Sequence, residues 1–297
     1  MSARIFALIA VFMVQVIYGL TFTFANDVID ESYIKPFGFI FLRVFGACIL
    51  FWLLSFLGPK EKIDRKDFKT FALAAFFGLT LNMLTFFKGL EFTTPIHASV
   101  IMVVVPIIVL ILSSIMLNEK ITTPKVIGIC LGFMGAIVLS VYGKSTQAGD
   151  NILLGNFLVF INASSYSIYL IIIKKLTYKY HPFTFIRWLF VFGALFTLPF
   201  GFRELTMVNW GSFSPYIWFS VVFVIIAATF GTYILNPLAL RHLRASTVST
   251  FLYLQPVIAG IFAIVMGSDS LNTVKLIASA LIFAGVYLVT KKPKLQA

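Results

Sequence analysis

Apolar residues along this chain neither alternate nor recur on one side of a helix. They come in ten near-continuous blocks, parted by short polar or charged stretches. Each block holds about twenty residues, the length a helix needs to cross a bilayer. The pattern predicts ten spans, at residues 3–25, 36–57, 68–87, 95–117, 124–142, 153–173, 184–201, 215–238, 245–266 and 272–290. The first block has no clear small-residue cleavage site and opens a pattern that continues to the end, so it reads as a retained helix. Composition agrees. Hydrophobic residues make up 60% of the 297 and charged residues 11%, against roughly 25% charged in a soluble domain. Such a chain cannot cover its apolar surface in water. The expected fold is an all-α polytopic membrane protein.

Charge then orients it. With the N-terminus inside, sixteen of the 23 basic residues fall on the inner face and five on the outer, while Arg43 and Arg187 lie within spans. This positive-inside bias predicts cytoplasmic termini in a plasma (inner) membrane. The net charge of +12 follows loop parity, so it is no sign of nucleic-acid binding. Cys48 and Cys130 both fall in apolar spans, where a structural disulfide is not expected.

The chain repeats itself. At an offset of 150, Pro106 falls on Pro256, Ser99 on Ser249, Glu119 on Asp269, Lys125 on Lys275 and Gly135 on Gly285. Nearer the start, Tyr18 matches Tyr166 at 148, and Pro36-Phe37 matches Pro182-Phe183 at 146. Two five-helix repeats result, 1–145 and 146–297. Five is odd, so the second enters the membrane inverted, an arrangement typical of secondary transporters with a site near the midplane.

The duplicated proline-centred fourth and ninth helices, with the block "LNEKITTPKVIGICLGFMGAIVLSVYG" from Leu117 to Gly143, resemble the drug/metabolite transporter superfamily, of the ten-helix EamA type. The second copy departs from the pattern, with Asp269 for the usual Glu and Ala278 and Ile282 where the first has Gly128 and Gly132. The resemblance implies a carrier exporting small metabolites, amino acids or drug-like compounds. A sugar-nucleotide or other solute carrier of the same superfamily is the alternative, and an integral-membrane enzyme, which would need clustered acids, histidines or a nucleophile near one membrane face, is a remote third. The implied partners are the lipid bilayer and a small-molecule substrate, and the chain is expected as a monomer or weak homodimer.

Candidate chemistry lies in the polar residues inside the spans. Gln15 and Tyr18 share one face of helix one, Asn162 and Tyr166 one face of helix six, and Tyr233 and Asn236 one face of helix eight. Asn82, His97, Thr229, Tyr253 and Gln255 complete the set. Singly, each fits interhelical hydrogen bonding. As a set recurring in both halves, they predict a polar, aromatic, substrate-binding cavity. Spans one, three, four, six, eight and nine carry the set; five and ten carry almost none of it and are expected at the periphery. Pro106 and Pro256 predict hinges or fixed kinks, because each removes a helical hydrogen bond whose carbonyl needs another partner or a wet cavity. A kink that only shapes packing fits the same residues.

Arg43 sits seven residues into span two, about 10 Å down. Reaching back to the outer surface is the default for such a side chain; a cation facing the cavity for an anionic substrate group is the alternative. Gly128 and Gly132 form a GxxxG pattern, which predicts close packing of helix five on a neighbour such as helix ten. Lys88 and Glu91 are spaced for an i, i+3 pair. No acid falls inside a predicted span, which argues against a buried carboxylate proton relay. HExxH, CxxC and GxSxG are absent, and Gly143-Lys144-Ser145 lacks the upstream glycine of a phosphate loop. No metal, cofactor or enzymatic activity is expected. A channel is disfavoured, since no charge ring or repeated filter segment occurs.

Overall fold

The computed structural model describes residues 2–30, 33–142, 151–265 and 272–291. Asp269, the Gly143-Lys144-Ser145 stretch and the boundary between the repeats at 145 lie outside the described residues. Ten helices are long and apolar enough to cross a membrane, and no strand occurs among the described residues. They are α1 (Ala3–Asp30), α2 (Pro36–Leu53), α3 (Asp67–Leu90), α4 (Pro95–Met102 and Val105–Leu117), α5 (Thr123–Val141) and α6 (Ile152–Thr177), followed by α7 (Pro182–Thr206), α8 (Pro215–Leu240), α9 (Ala245–Thr250, Phe251–Tyr253 and Leu254–Val265) and α10 (Thr273–Thr290). Helix α1 runs five residues past the expected end at 25. Asp27 and Asp30 fall in that extension, beyond the apolar window Ala3–Thr21.

Local chemistry starts the helices. Pro36, Pro124, Pro182 and Pro215 stand in first turns, where an N–H has no helical partner to lose. The side chains of Asn151, Ser214 and Asn272 accept first-turn amides of α6, α8 and α10. Large apolar side chains point outward, with Leu153 83%, Val265 76% and Ile115 72% exposed. That surface suits hydrocarbon and would drive aggregation in water.

Helix α1 packs on α8 and α9, while α6 packs on α3 and α4; α2 meets α7 and α8, while α7 meets α2 and α3. Exchange of one for six, two for seven, three for eight and four for nine turns each pairing into another on the same roll. Helices α5 and α10 pack along their lengths, as the GxxxG pattern predicts. A Cβ on Gly128 would lie 2.7 Å from the Gly285 carbonyl oxygen, and one on Gly135 would lie 2.5 Å from that of Ala278. Any larger side chain must push the helices apart. Gly128→Leu is expected to cost about 1–3 kcal/mol, read as a lower unfolding temperature in detergent. Cys130→Leu, on the exposed side of the same helix, is expected to change it little.

Arg4 donates from Nη2 to the Thr290 carbonyl, so the first and last helices end at one face. The turn before α3 meets the turn after α6. Lys179 pairs with Asp64 at 2.5 Å and also with Asp67, and the His181 amide donates to Glu61 Oε2 at 2.8 Å. Hydrogen bonds to Asp64 and Asp67 raise the Lys179 ammonium above its ordinary value. At the other face Lys88 pairs with Glu91 at 2.5 Å, as their spacing predicts.

Candidate functional site: a polar and aromatic centre

Helices α3 and α8 do not keep α-helical geometry. Each widens into a π-helical stretch, Phe76–Leu81 in α3 and Val224–Gly231 in α8. At the offset of 150 the first falls inside the second. A wide turn disturbs the helical ladder, and such turns occur often at functional sites. Hydroxyls take up carbonyls here. Thr229 donates to the Val224 carbonyl at 2.8 Å, Ser165 of α6 to that of Phe77 at 2.7 Å, and Tyr233 of α8 to that of Gly78 at 2.7 Å.

Helices α4 and α9 break at the other equivalent point. In α4 the Val103 and Val104 amides donate three residues back, to Val100 and Ile101 at 3.2 and 3.0 Å, and the helix restarts at Val105. In α9 the turn Phe251–Tyr253 precedes Leu254. Pro106 and Pro256 therefore stand in the first turn of a new segment, where a missing N–H costs little.

The tyrosines meet between these irregular segments. The Tyr18 hydroxyl lies near Thr232, and that of Tyr166 near Asn236. The rings of Tyr166 and Tyr169 are 6.0 Å apart, those of Tyr169 and Tyr233 5.8 Å, and those of Tyr233 and Phe190 5.1 Å. Tyr18 and Tyr166 each keep part of their surface open, while Tyr169 and Tyr233 beside them are buried. Thr229 also accepts from Arg43 Nε at 2.9 Å. Arg43 is only 8% exposed, so it does not reach back to the surface. Thr229 holds it in the interior, within electrostatic reach of Tyr18 and Tyr233.

Of the residues named from sequence, Tyr18, Tyr166, Thr229, Tyr233 and Asn236 come together here; Arg43 joins them by the alternative given for it, and Tyr169 and Thr232 were not named. The remaining residues form ties at the margin. Asn82 and Asn162 each donate to the other's backbone carbonyl, at 3.2 and 2.6 Å, joining α3 to α6. Gln255 Nε2 donates to Gln15 Oε1 at 2.9 Å, joining α9 to α1. His97 stands in the first turn of α4, with Nδ1 3.5 Å from the Thr93 hydroxyl. Tyr253 is 1% exposed and lies against Gly132 of α5. Two apolar clefts of about 330 and 450 Å³ are lined respectively by residues such as Phe12 and Phe283, and by Phe76, Thr80 and Leu81 of the wide turn in α3 with Leu195 of α7. Neither has a charged residue in its wall.

At the face of the termini, one carboxylate ties the halves. Asn118 adopts φ 54° and turns the chain at the end of α4. Glu119 then accepts the Ala245 amide at 2.7 Å on Oε1 and the Ser246 hydroxyl at 2.6 Å on Oε2. It caps α9, where an anion is favoured. Lys125 balances it at 3.4 Å, both side chains being under a tenth exposed. Glu119→Ala leaves a buried ammonium and two donors, and is expected to cost on the order of 3 kcal/mol. Adding Lys125→Met is expected to recover part of that loss, because the stranded charge is gone. Thermal unfolding of both variants checks this; an additive loss would show that the pair is not coupled.

The profile of the EamA-like transporter family matches residues 5–141 and 153–291. An "uncharacterized transporter" of Archaeoglobus fulgidus is 30% identical over 283 residues, 93% of this chain and 95% of its own. The uncharacterized transporter YetK of Bacillus subtilis is 24% identical over 85% of this chain and 78% of its own. YoaV of the same organism is 27% identical over 95% and 96%. A crystal structure superposes with a TM-score of 0.78 over 97% of this chain and 96% of its own, at 16% identity, and shares the fold.

Proposed function

The chain belongs to the EamA-like transporter family, and from that premise we propose that it exports a small organic solute by alternating access. Its halves, 1–145 and 146–297, act as inverted repeats. The solute occupies the central chamber. Tyr18, Tyr166, Thr229, Tyr233 and Asn236 touch it, and the Asn82–Asn162 and Gln15–Gln255 ties bound it. The single observation that carries this reading is that Tyr18 and Tyr166 stay partly open among the buried Tyr169, Thr229, Tyr233 and Asn236.

The exchange of helix pairings between the halves supports it further. A site between two repeats that pack reciprocally can open first to one face and then to the other. Cytoplasmic termini in an inner membrane fit the bias of basic loops, which C-terminal reporter fusions test directly. For the chamber, single cysteines are placed at Tyr18, Asn82, Tyr233 and Gln255, and at Ile129 and Leu281, in a chain lacking Cys48 and Cys130. A water-soluble thiol reagent is expected to modify the first four and spare the last two. The reverse pattern would sink the chamber.

A further inference from the structure

The cations of the spans meet partners of different kinds. Lys88 pairs with Glu91 and Lys125 with Glu119. Lys174 donates to the Leu240 and Leu243 carbonyls at 2.5 and 3.0 Å, at the end of α8. Arg187 lies over the Trp52 ring at 5.2 Å. Arg43 is as buried as Lys125 or Lys174 in class, and lies beside the chamber. Its protein partner is a neutral hydroxyl, and among the described residues no carboxylate pairs with it.

A buried cation without an anion is costly, and removing its charge is commonly stabilising. An ionisable group kept inside a membrane is by default functional. The bond from Nε to Thr229 fixes the guanidinium plane and leaves the two Nη groups, which offer parallel N–H donors. That edge matches the two oxygens of a carboxylate. One cation suits one negative charge; a phosphate dianion calls for a second, and the groups gathered with Arg43 are hydroxyls and aromatic rings. Tyr166, Tyr169 and Tyr233 supply an apolar, aromatic wall.

We propose that the solute is a small organic monocarboxylate with an apolar or aromatic body. Its carboxylate lies on Arg43, with the Tyr18 and Tyr233 hydroxyls beside it. This rests on the transport reading above and narrows it to one charge class.

The test uses the purified full chain and radiolabelled phenyllactate and phenylpyruvate, both anions at neutral pH. Competitors are their amides, phenylethylamine and 2-phenylethanol. The two acids are expected to bind saturably, with the amides at least about tenfold weaker. Arg43→Gln is expected to lose tenfold to a hundredfold in acid affinity, in line with a lost charged hydrogen-bond pair. Arg43→Lys, which keeps the charge but not the paired donors, should fall between. If Arg43→Gln does not insert, the Arg43→Lys loss and the amide ratio decide alone. Equal binding of amides or amine, unchanged affinity in the variants, or no binding of either acid overturns the inference. The transport reading fails separately, if the chamber cysteines resist labelling. It survives if they label while a neutral or cationic solute is the one bound.

Discussion

Deleting Ala227 from α8 is expected to leave a folded, inserted protein that transports at least about tenfold more slowly. A π-helical turn holds one residue more than the α-helix around it. Removing one residue from Val224–Gly231 lets the segment close into an α-helix, with the flanking faces still pointing where they did. Ile217 and Val221 keep their places in the core, as do Tyr233 and Asn236. What changes is Thr229. Its hydroxyl now accepts from Arg43 and donates to Val224, and neither geometry survives the rewinding. A charged hydrogen bond is worth about 1.5–3 kcal/mol, which corresponds to that tenfold or more. Phe77, 150 residues earlier in the π-helical stretch of α3, is the matching deletion. There the carbonyls that Ser165 and Tyr233 bond are displaced. Transport into liposomes with thermal unfolding as control is the measurement. A deletion variant that transports at the wild-type rate would show that the wide turn only absorbs an extra residue.

Pro106→Ala and Pro256→Ala are each expected to slow transport strongly while leaving insertion intact. Both helices are already interrupted just before the proline, and each proline sits in the first turn of the restarted segment. Alanine supplies an N–H that can reach four residues back, to Met102 or Leu252. It also removes the ring that crowds the preceding turn. The break should heal in part, and the helix should straighten. Because the two breaks sit in opposite repeats, healing one should favour one facing state and healing the other the opposite state. Accessibility of a cysteine at Tyr18, probed from each side of the liposome, reads the bias. Wild-type turnover with unchanged accessibility in both variants would reduce the prolines to packing.

Much of this was legible before any coordinates. Ten spans follow from block length, since nothing else satisfies the backbone in hydrocarbon. The α5–α10 contact was visible in Gly128 and Gly132, because close approach selects small residues. The breaks at Pro106 and Pro256 were visible because proline has one chemical meaning inside a helix. The wide turns in α3 and α8 were not. No residue type marks a π-helical turn, and "FFGLTL" and "VIIAATFG" read as ordinary apolar helix. For Arg43 the sequence left two places open, and the choice between them was not legible for a different reason. Its default, reaching for the surface, depends on its own helix, whereas its observed place depends on Thr229, 186 residues away. Composition also could not separate Asn82 and Asn162, which tie two backbones, from Tyr166, whose ring joins the tyrosine cluster. All three are polar positions in apolar helices.

The glycine contact between α5 and α10 carries a consequence for how such a chain arises. Gly128 meets Gly285 and Gly135 meets Ala278; at the offset of 150, Gly285 is the repeat of Gly135 and Ala278 that of Gly128. Each contact is therefore the other with the copies exchanged, the self-complementarity that defines a two-fold interface. A five-helix ancestor with this face would have paired with itself. Duplication and fusion of its gene then turns a dimer into one polypeptide. In a homodimer every charge comes twice, and a chamber on the dyad receives both. Fusion lifts that constraint. At the offset of 146 that aligns Pro36 with Pro182, the counterpart of Arg43 is Leu189, so the fused chain brings one cation to its centre where the ancestral pair would bring two or none.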